Sequence, residues 1–241
     1  MRVVVTRPER SGQKTATLLR ERGHWPILLS LTAPVHYAEV AIAALAKQPA
    51  ALAVTSAEAI RALLETDISA IRHTLLFAVG PASAGAARDA GFQNIVAGES
   101  DGSALAQLIA QAQAPKASVL YLAGKPREPG FEDRLFALNV PFETAEIYEM
   151  QPVFWTRPQL EDLLTASPIN AVLFYSTEAV RIFFALMSEH ALFERLNTCK
   201  FICISSKVLS HIPKAFQHAA QASATPSEAE MFDLLDRAAG T

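Results

Sequence analysis

Ala53-Val54-Thr55-Ser56-Ala57-Glu58-Ala59-Ile60 returns later in the chain as Phe174-Tyr175-Ser176-Thr177-Glu178-Ala179-Val180. Ser56 and Ser176, Glu58 and Glu178, and Ala59 and Ala179 are each 120 residues apart, about half of the 241-residue chain. The strand that follows, Leu76-Phe77-Ala78-Val79-Gly80, reappears as Phe201-Ile202-Cys203-Ile204-Ser205, and Ser103–Leu108 matches Ser227–Phe232. One unit occurs twice: an apolar strand, a Ser/Thr/Gly turn, then a helix. Repetition at this spacing predicts two similar domains, and a cleft between two such domains is a usual place for a small-molecule site.

Working outward, strands and helices alternate along the whole chain, which predicts parallel sheets with crossover helices. The opening unit is a strand over Val3–Thr6, a helix over Gly12–Arg22 and a strand near Pro26–Ser30. The middle segment closes with a strand from Ser118, a helix, and a strand over Phe142–Ile147. Only the opening unit can supply the equivalent closure for the second half. The pattern therefore predicts a doubly wound, flavodoxin-like α/β fold in which one domain is inserted in the other. Residues 1–33 with 152–241 form the discontinuous domain, 38–147 the inserted one, and 34–37 with 148–151 the linkers. Linkers that run side by side can pair as a two-stranded ribbon, limiting twist while permitting bending.

Bulk properties narrow the function. Apolar residues make up 51% of the chain and charged ones 19%, enough for two cores and a polar surface. A net charge of −3 with no basic tract argues against nucleic acid, and no apolar run suits a membrane span. The first strand begins at Arg2, so a cytoplasmic protein without a signal peptide is expected. Cys199 and Cys203 read as core thiols rather than a disulfide or zinc pair. The six histidines are scattered, and no metal is expected.

In a doubly wound sheet, ligands bind beyond the carboxyl ends of the strands. Those ends carry Thr6 and Arg7, Thr55 and Ser56, Ser83, Gly124 with Lys125 and Arg127, Ser176 and Thr177, and Ser205, Ser206 and Lys207. Hydroxyls and helix amino termini suit an anion, and Arg7, Lys125, Arg127 and Lys207 supply opposing charge. The competing reading of each hydroxyl is a helix N-cap, with Ser227-x-x-Glu230 and Thr55-x-x-Glu58 as capping-box patterns. Other motifs fail. Gly80–Gly85 has P-loop glycine spacing but lacks the Lys and hydroxyl that follow it, and no dinucleotide fingerprint is present. Gly98-Glu99-Ser100-Asp101-Gly102 fits a nucleophile elbow, but no His follows within the inserted domain.

The order of Thr6-Arg7-Pro8, Thr55-Ser56, Ala78-Val79-Gly80, Leu122-Ala123-Gly124 with Arg127, Phe174-Tyr175-Ser176, and Pro226-Ser227 with Met231 resembles the uroporphyrinogen-III synthase family over essentially the whole chain. The resemblance implies a cofactor-free, metal-free hydro-lyase. Its substrate would be hydroxymethylbilane, dehydrated and cyclised with inversion of ring D in the interdomain cleft of a monomer. Transient contact with hydroxymethylbilane synthase is part of that expectation. The family's tyrosine sits where the chain leaves the inserted domain, a position held here by Tyr148, the expected catalytic phenol. Thr6, Arg7, Thr55, Ser56, Ser83, Gly124, Lys125, Arg127, Ser176, Thr177, Ser205, Ser206 and Lys207 are the expected substrate contacts. Two departures stand out. Ser205-Ser206-Lys207-Val208-Leu209 replaces a Gly-Pro-Thr-x-Ala-like turn, and Glu58 replaces a basic residue of some relatives. A non-catalytic bilobal protein that binds small anions shares the duplicated lobes and stands as the alternative.

Overall fold

The computed structural model describes residues 1–99, 101–112, 118–165 and 168–239. In chain order the first elements are β1 (Arg2–Val5), α1 (Glu9–Glu21) and β2 (Trp25–Leu28). They are followed by β3 (Thr32–His36), α2 (Ala38–Leu45), β4 (Ala51–Val54), α3 (Ala57–Leu63), β5 (Leu75–Ala78) and α4 (Pro81–Asp89). Next come β6 (Ile95–Ala97), α5 (Gly102–Gln111), β7 (Val119–Lys125), α6 (Gly130–Ala137) and β8 (Phe142–Pro152). The last are α7 (Arg157–Thr165), β9 (Ala171–Phe174), α8 (Thr177–Glu189), β10 (Lys200–Cys203), α9 (Ser206–Leu209), β11 (Ala220–Ala222) and α10 (Glu228–Ala239).

The chain divides into two compact units, Met1–Ala33 with Gln151–Thr241, and Pro34–Met150. The first holds the sheet β11-β10-β9-β1-β2, all parallel. Its strands alternate strictly. Val4, Val172, Phe174, Phe201 and Cys203 face one core, and Val3, Val5, Ala171, Leu173 and Ile202 face the other. Phe174, Phe183, Phe184, Phe201 and Phe216 form an aromatic cluster in the first of these, Phe174 and Phe183 meeting edge to face at 5.3 Å.

The second unit contains the sheet β3-β8-β7-β4-β5-β6. Leu52, Val54, Leu76, Leu120 and Leu122 pack beneath α2, α3 and α4, while Ala51, Ala53, Phe77, Tyr121 and Ala123 pack beneath α5 and α6. The strands from β4 onward run outward through β5 and β6, and the chain then returns to β7 on the other flank of β4. The reversal between β4 and β7 is the topological switch point of this sheet, where a crevice opens beyond the strand ends.

Both stretches read from sequence as linkers are strands. Residues 32–36 form β3, and β8 runs on through Tyr148 to Pro152. Pro34 marks a break in a sequence, yet β3 lies at the sheet edge, where a missing N–H costs nothing. Tyr37 N–H donates to Ile147 C=O, and Val153 N–H donates to Leu31 C=O, so the two strands run antiparallel. β11 is confined to Ala220–Ala222 because a 3₁₀ turn occupies Lys214–Ala219 just before it.

Candidate active site at the switch point of the second unit

β7 and β8 pair in parallel until Ala123 opposite Glu146; the next pair is Gly124 opposite Tyr148. Ile147 is the additional residue of a β-bulge. Up to the bulge, Thr144 and Glu146 face one side of the sheet, and Ala145 and Ile147 face the other. After it the alternation is reversed, so Tyr148 joins the same apolar cluster as Ile147 and Met150 packs against it. The bulge thereby turns the Tyr148 ring towards the α3 side, where it is 8% exposed.

There the phenol reaches the switch point. A cavity of 430 Å³ is lined by Thr55, Ser56, Tyr121, Arg127, Phe131 and Tyr148 among others. Burial pushes the Tyr148 phenol above its ordinary value; a hydrogen bond with the Ser56 hydroxyl pulls it back, and the nearby Glu58 carboxylate adds to the rise. Tyr148 therefore remains a neutral proton donor across the physiological range. Tyr121, on the opposite face of the sheet, shares a 2.7 Å hydrogen bond with Thr55 Oγ1 at the end of β4. Burial raises its phenol too, against the pull of that bond. Sequence reading passed over Tyr121 because its alternation marks a core position and nothing local shows that its hydroxyl ends in a cavity.

Arg127 is held by carboxylates. Its Nε donates to Glu132 at 2.8 Å and its Nη1 to Glu146 at 2.6 Å, while Thr144 donates to Glu132. Hydrogen bonds to Glu132 and then Glu146 raise the guanidinium further, and Arg127 lowers both carboxylates. Lys125 lies 3.6 Å from Glu146 and is exposed. Ser56 is the N-cap of α3 and accepts the Glu58 N–H, so the cap falls on Ser56 rather than Thr55. Ser83 is 4% exposed within α4, and Gly124 is buried. Of the expected contacts, this cavity brings together Thr55, Ser56, Arg127 and Tyr148. Ser100 of the elbow-like stretch lies outside the described residues; Asp101 beside it caps α5.

Glu58, which stands where some relatives carry a basic residue, is the centre of a further cluster. His36 bonds Glu58 through Nε2 at 2.9 Å and Glu65 through Nδ1 at 2.6 Å, and Arg61 Nε donates to Glu58 at 2.8 Å. Burial opposes the charge on His36, but the two carboxylates outweigh it and its pKa is raised.

The first unit presents the duplicated ends. Ser176 caps α8 through the Ala179 N–H, and Thr177 is the first residue of that helix. Ser205 caps α9 through the Val208 N–H, leaving Ser206 and Lys207 exposed in its first turn. Thr6 is 2% exposed and donates to Leu173 C=O, tying β1 to β9. Arg7 donates to Glu228 at 3.0 Å and to Thr15, and lies over the Tyr175 ring at 4.3 Å. Thr15 and Tyr175 also donate to Glu228, at 2.6 Å each. Glu230 receives both the N–H and the hydroxyl of Thr225, three residues ahead of α10. Among the described residues no set of His, Cys, Asp and Glu side chains is grouped to hold a metal ion, and no helix is long and apolar enough to cross a membrane.

Comparison with solved structures finds the same fold. A uroporphyrinogen-III synthetase from Helicobacter pylori is 19% identical with a TM-score of 0.71, covering 98% of this chain and 99% of that one. A mutant uroporphyrinogen III synthase from the extremely thermophilic bacterium Thermus thermophilus, also 19% identical, has a TM-score of 0.58 over 100% of this chain and 99% of its own. No curated protein sequence gives a significant match. The family model described as Uroporphyrinogen-III synthase HemD matches residues 13–235, nearly the full chain. The chain belongs to the uroporphyrinogen-III synthase family.

Proposed function

We propose that this chain dehydrates and cyclises hydroxymethylbilane to uroporphyrinogen III, with Tyr148 as general acid. The observation that carries this reading is the neutral, nearly buried Tyr148 phenol at a 430 Å³ cavity beside the switch point. Tyr148 gives its proton to the terminal hydroxyl of the substrate. The C–O bond then breaks, water leaves, and the pyrrole nitrogen supplies the electron pair that forms an azafulvene cation. Ring closure with inversion of ring D follows, and the proton released on rearomatisation returns to the phenolate. A positioned side-chain acid contributes about 10²–10⁴-fold, and holding the intermediate in one conformation away from water supplies much of the remainder.

The Ser56 hydroxyl and the Thr55–Tyr121 pair offer neutral hydrogen-bonding groups to the tetrapyrrole. Exposed Lys125 offers a charge for its carboxylates. Arg127 acts mainly through Glu132 and Glu146, because its charge is already matched. In the first unit, Ser176, Thr177, Ser205, Ser206 and Lys207 are the second group of contacts, whereas Thr6 and Arg7 of that unit and Ser83 of the second serve the fold. A cytoplasmic monomer that receives its substrate from hydroxymethylbilane synthase completes the reading.

The test is a coupled assay in which porphobilinogen and hydroxymethylbilane synthase generate the substrate, followed by oxidation and separation of isomers. Isomer III formed only when this protein is present supports the proposal. Isomer I alone, from a folded sample, contradicts it and returns the bilobal anion-binding reading.

A further inference from the structure

We propose that Gly124 is a positioning residue for Tyr148, an inference that rests on the role given to Tyr148 above. Two independent features of the strand pair converge on it. The first is the bulge at Ile147, which reverses the alternation of β8 and places Tyr148 opposite Gly124 rather than beyond it. The second is the space above Gly124. On β7, Leu120 and Leu122 face the α3 side of the sheet, so a side chain at Gly124 would face the same way. The Tyr148 ring occupies that space. A Cβ built on Gly124 would stand 2.5 Å from Cε2 and closer still to Cζ and the phenol oxygen, whereas real Cβ contacts keep at least 3.0 Å.

Gly124 is not glycine for the sake of its backbone. The positive-φ glycines among the described residues are Gly23 and Gly91, so the backbone at Gly124 would accept alanine. What alanine cannot share is the volume of the phenol. Sequence reading places Gly124 among the substrate contacts; the geometry gives it a different task, to leave room for the reactive oxygen of Tyr148. One methyl group would push the ring tip by about 1 Å or more, at the end that carries the proton. The ring belongs to the same buried apolar cluster as Ile60, Leu122 and Ile147, and close-packed surroundings transmit such a shift instead of absorbing it. Displacements of about 1 Å in a reacting group cost up to about 10²-fold in rate.

The experiment is a double-mutant cycle with two readouts. In the isomer assay, Gly124→Ala should lower kcat at least about tenfold with KM changed less than about threefold, as expected for loss of an interaction used in the transition state. The Gly124→Ala/Tyr148→Phe double variant should be no slower than the slower single variant, because both act on one group. In thermal unfolding, Gly124→Ala should lower the midpoint, and the decrease should vanish in a Tyr148→Ala background, where the ring is gone. That background also provides a folded partner if Gly124→Ala alone does not fold. Wild-type kcat in Gly124→Ala overturns the proposal and leaves Tyr148 untouched. Fully multiplicative losses in the cycle, or a midpoint decrease that persists without the ring, overturn it equally. Wild-type kcat in Tyr148→Phe removes the general acid itself and the positioning role with it, while the unfolding cycle still reports the contact.

Discussion

Replacing Glu228 with alanine should destabilise the first unit by about 2–4 kcal/mol. One carboxylate oxygen of Glu228 accepts from Arg7, Thr15 and Tyr175. Thr15 is fully buried and would keep the Arg7 donor but lose the acceptor for its own hydroxyl hydrogen, at a cost of about 1–3 kcal/mol. Arg7 and Glu228 are a little under a third exposed, so their ion pair is screened and adds only about 0.5–1 kcal/mol. Glu228 also lies in the first turn of α10, where a negative charge contributes about 0.3–1 kcal/mol. Glu228→Gln keeps an acceptor and should lose about half as much. Trp25 and Trp155 are the two tryptophans of the chain, and both belong to the first unit, so their fluorescence during urea unfolding reports the unit that holds Glu228. A loss below about 0.5 kcal/mol for Glu228→Ala, no larger than an ordinary surface substitution, would show that this carboxylate does not organise its three donors. Arg7 would then return to the substrate contacts.

Two further outcomes follow from the electrostatics. Burial pushes Cys199 and Cys203 up to about 12, so neither should react with a disulfide reagent at about pH 8 until denaturant is added, when both should react. Fast labelling of the native protein would contradict their burial. His36 gains stability as a cation, so its contribution is full below its unfolded pKa of about 6.5 and is lost as pH rises through the raised folded value. A proton NMR titration should place His36 above 6.5, and a value at or below it would contradict the paired-carboxylate geometry.

The repeat carried most of the fold because alternation and turn chemistry are local. Leu52 and Val54 facing one core, and Ala51 and Ala53 the other, follow from a period of two that any reader of the strand can count. Tyr148 came from the family resemblance, which places a tyrosine where the chain leaves the inserted domain, and not from alternation or turn chemistry. The bulge at Ile147 has no such mark, since Glu146-Ile147-Tyr148-Glu149 reads as an ordinary strand end. The ion pairs were equally silent. Arg7 meets Glu228 across 221 residues and Arg127 meets Glu146 across 19, so strand-end cations that look available are spent on the fold. Tyr121 and His36 took on polar partners that only the packed sheet brings near. Pro34 misled in the other direction, because a breaker in mid-strand is tolerated on an edge strand.

Turnover of Tyr148→Phe, measured as isomer III formed in the coupled assay beside the wild-type protein, bears most directly on the role of the phenol. Loss of its hydroxyl removes one hydrogen bond, with Ser56, so stability should change by only about 0.5–1.5 kcal/mol. Wild-type protein should yield isomer III, and Tyr148→Phe, still folded, should be slower by about 10²-fold or more. Turnover to isomer III within about threefold of wild type would contradict the assignment of the reaction's proton to Tyr148.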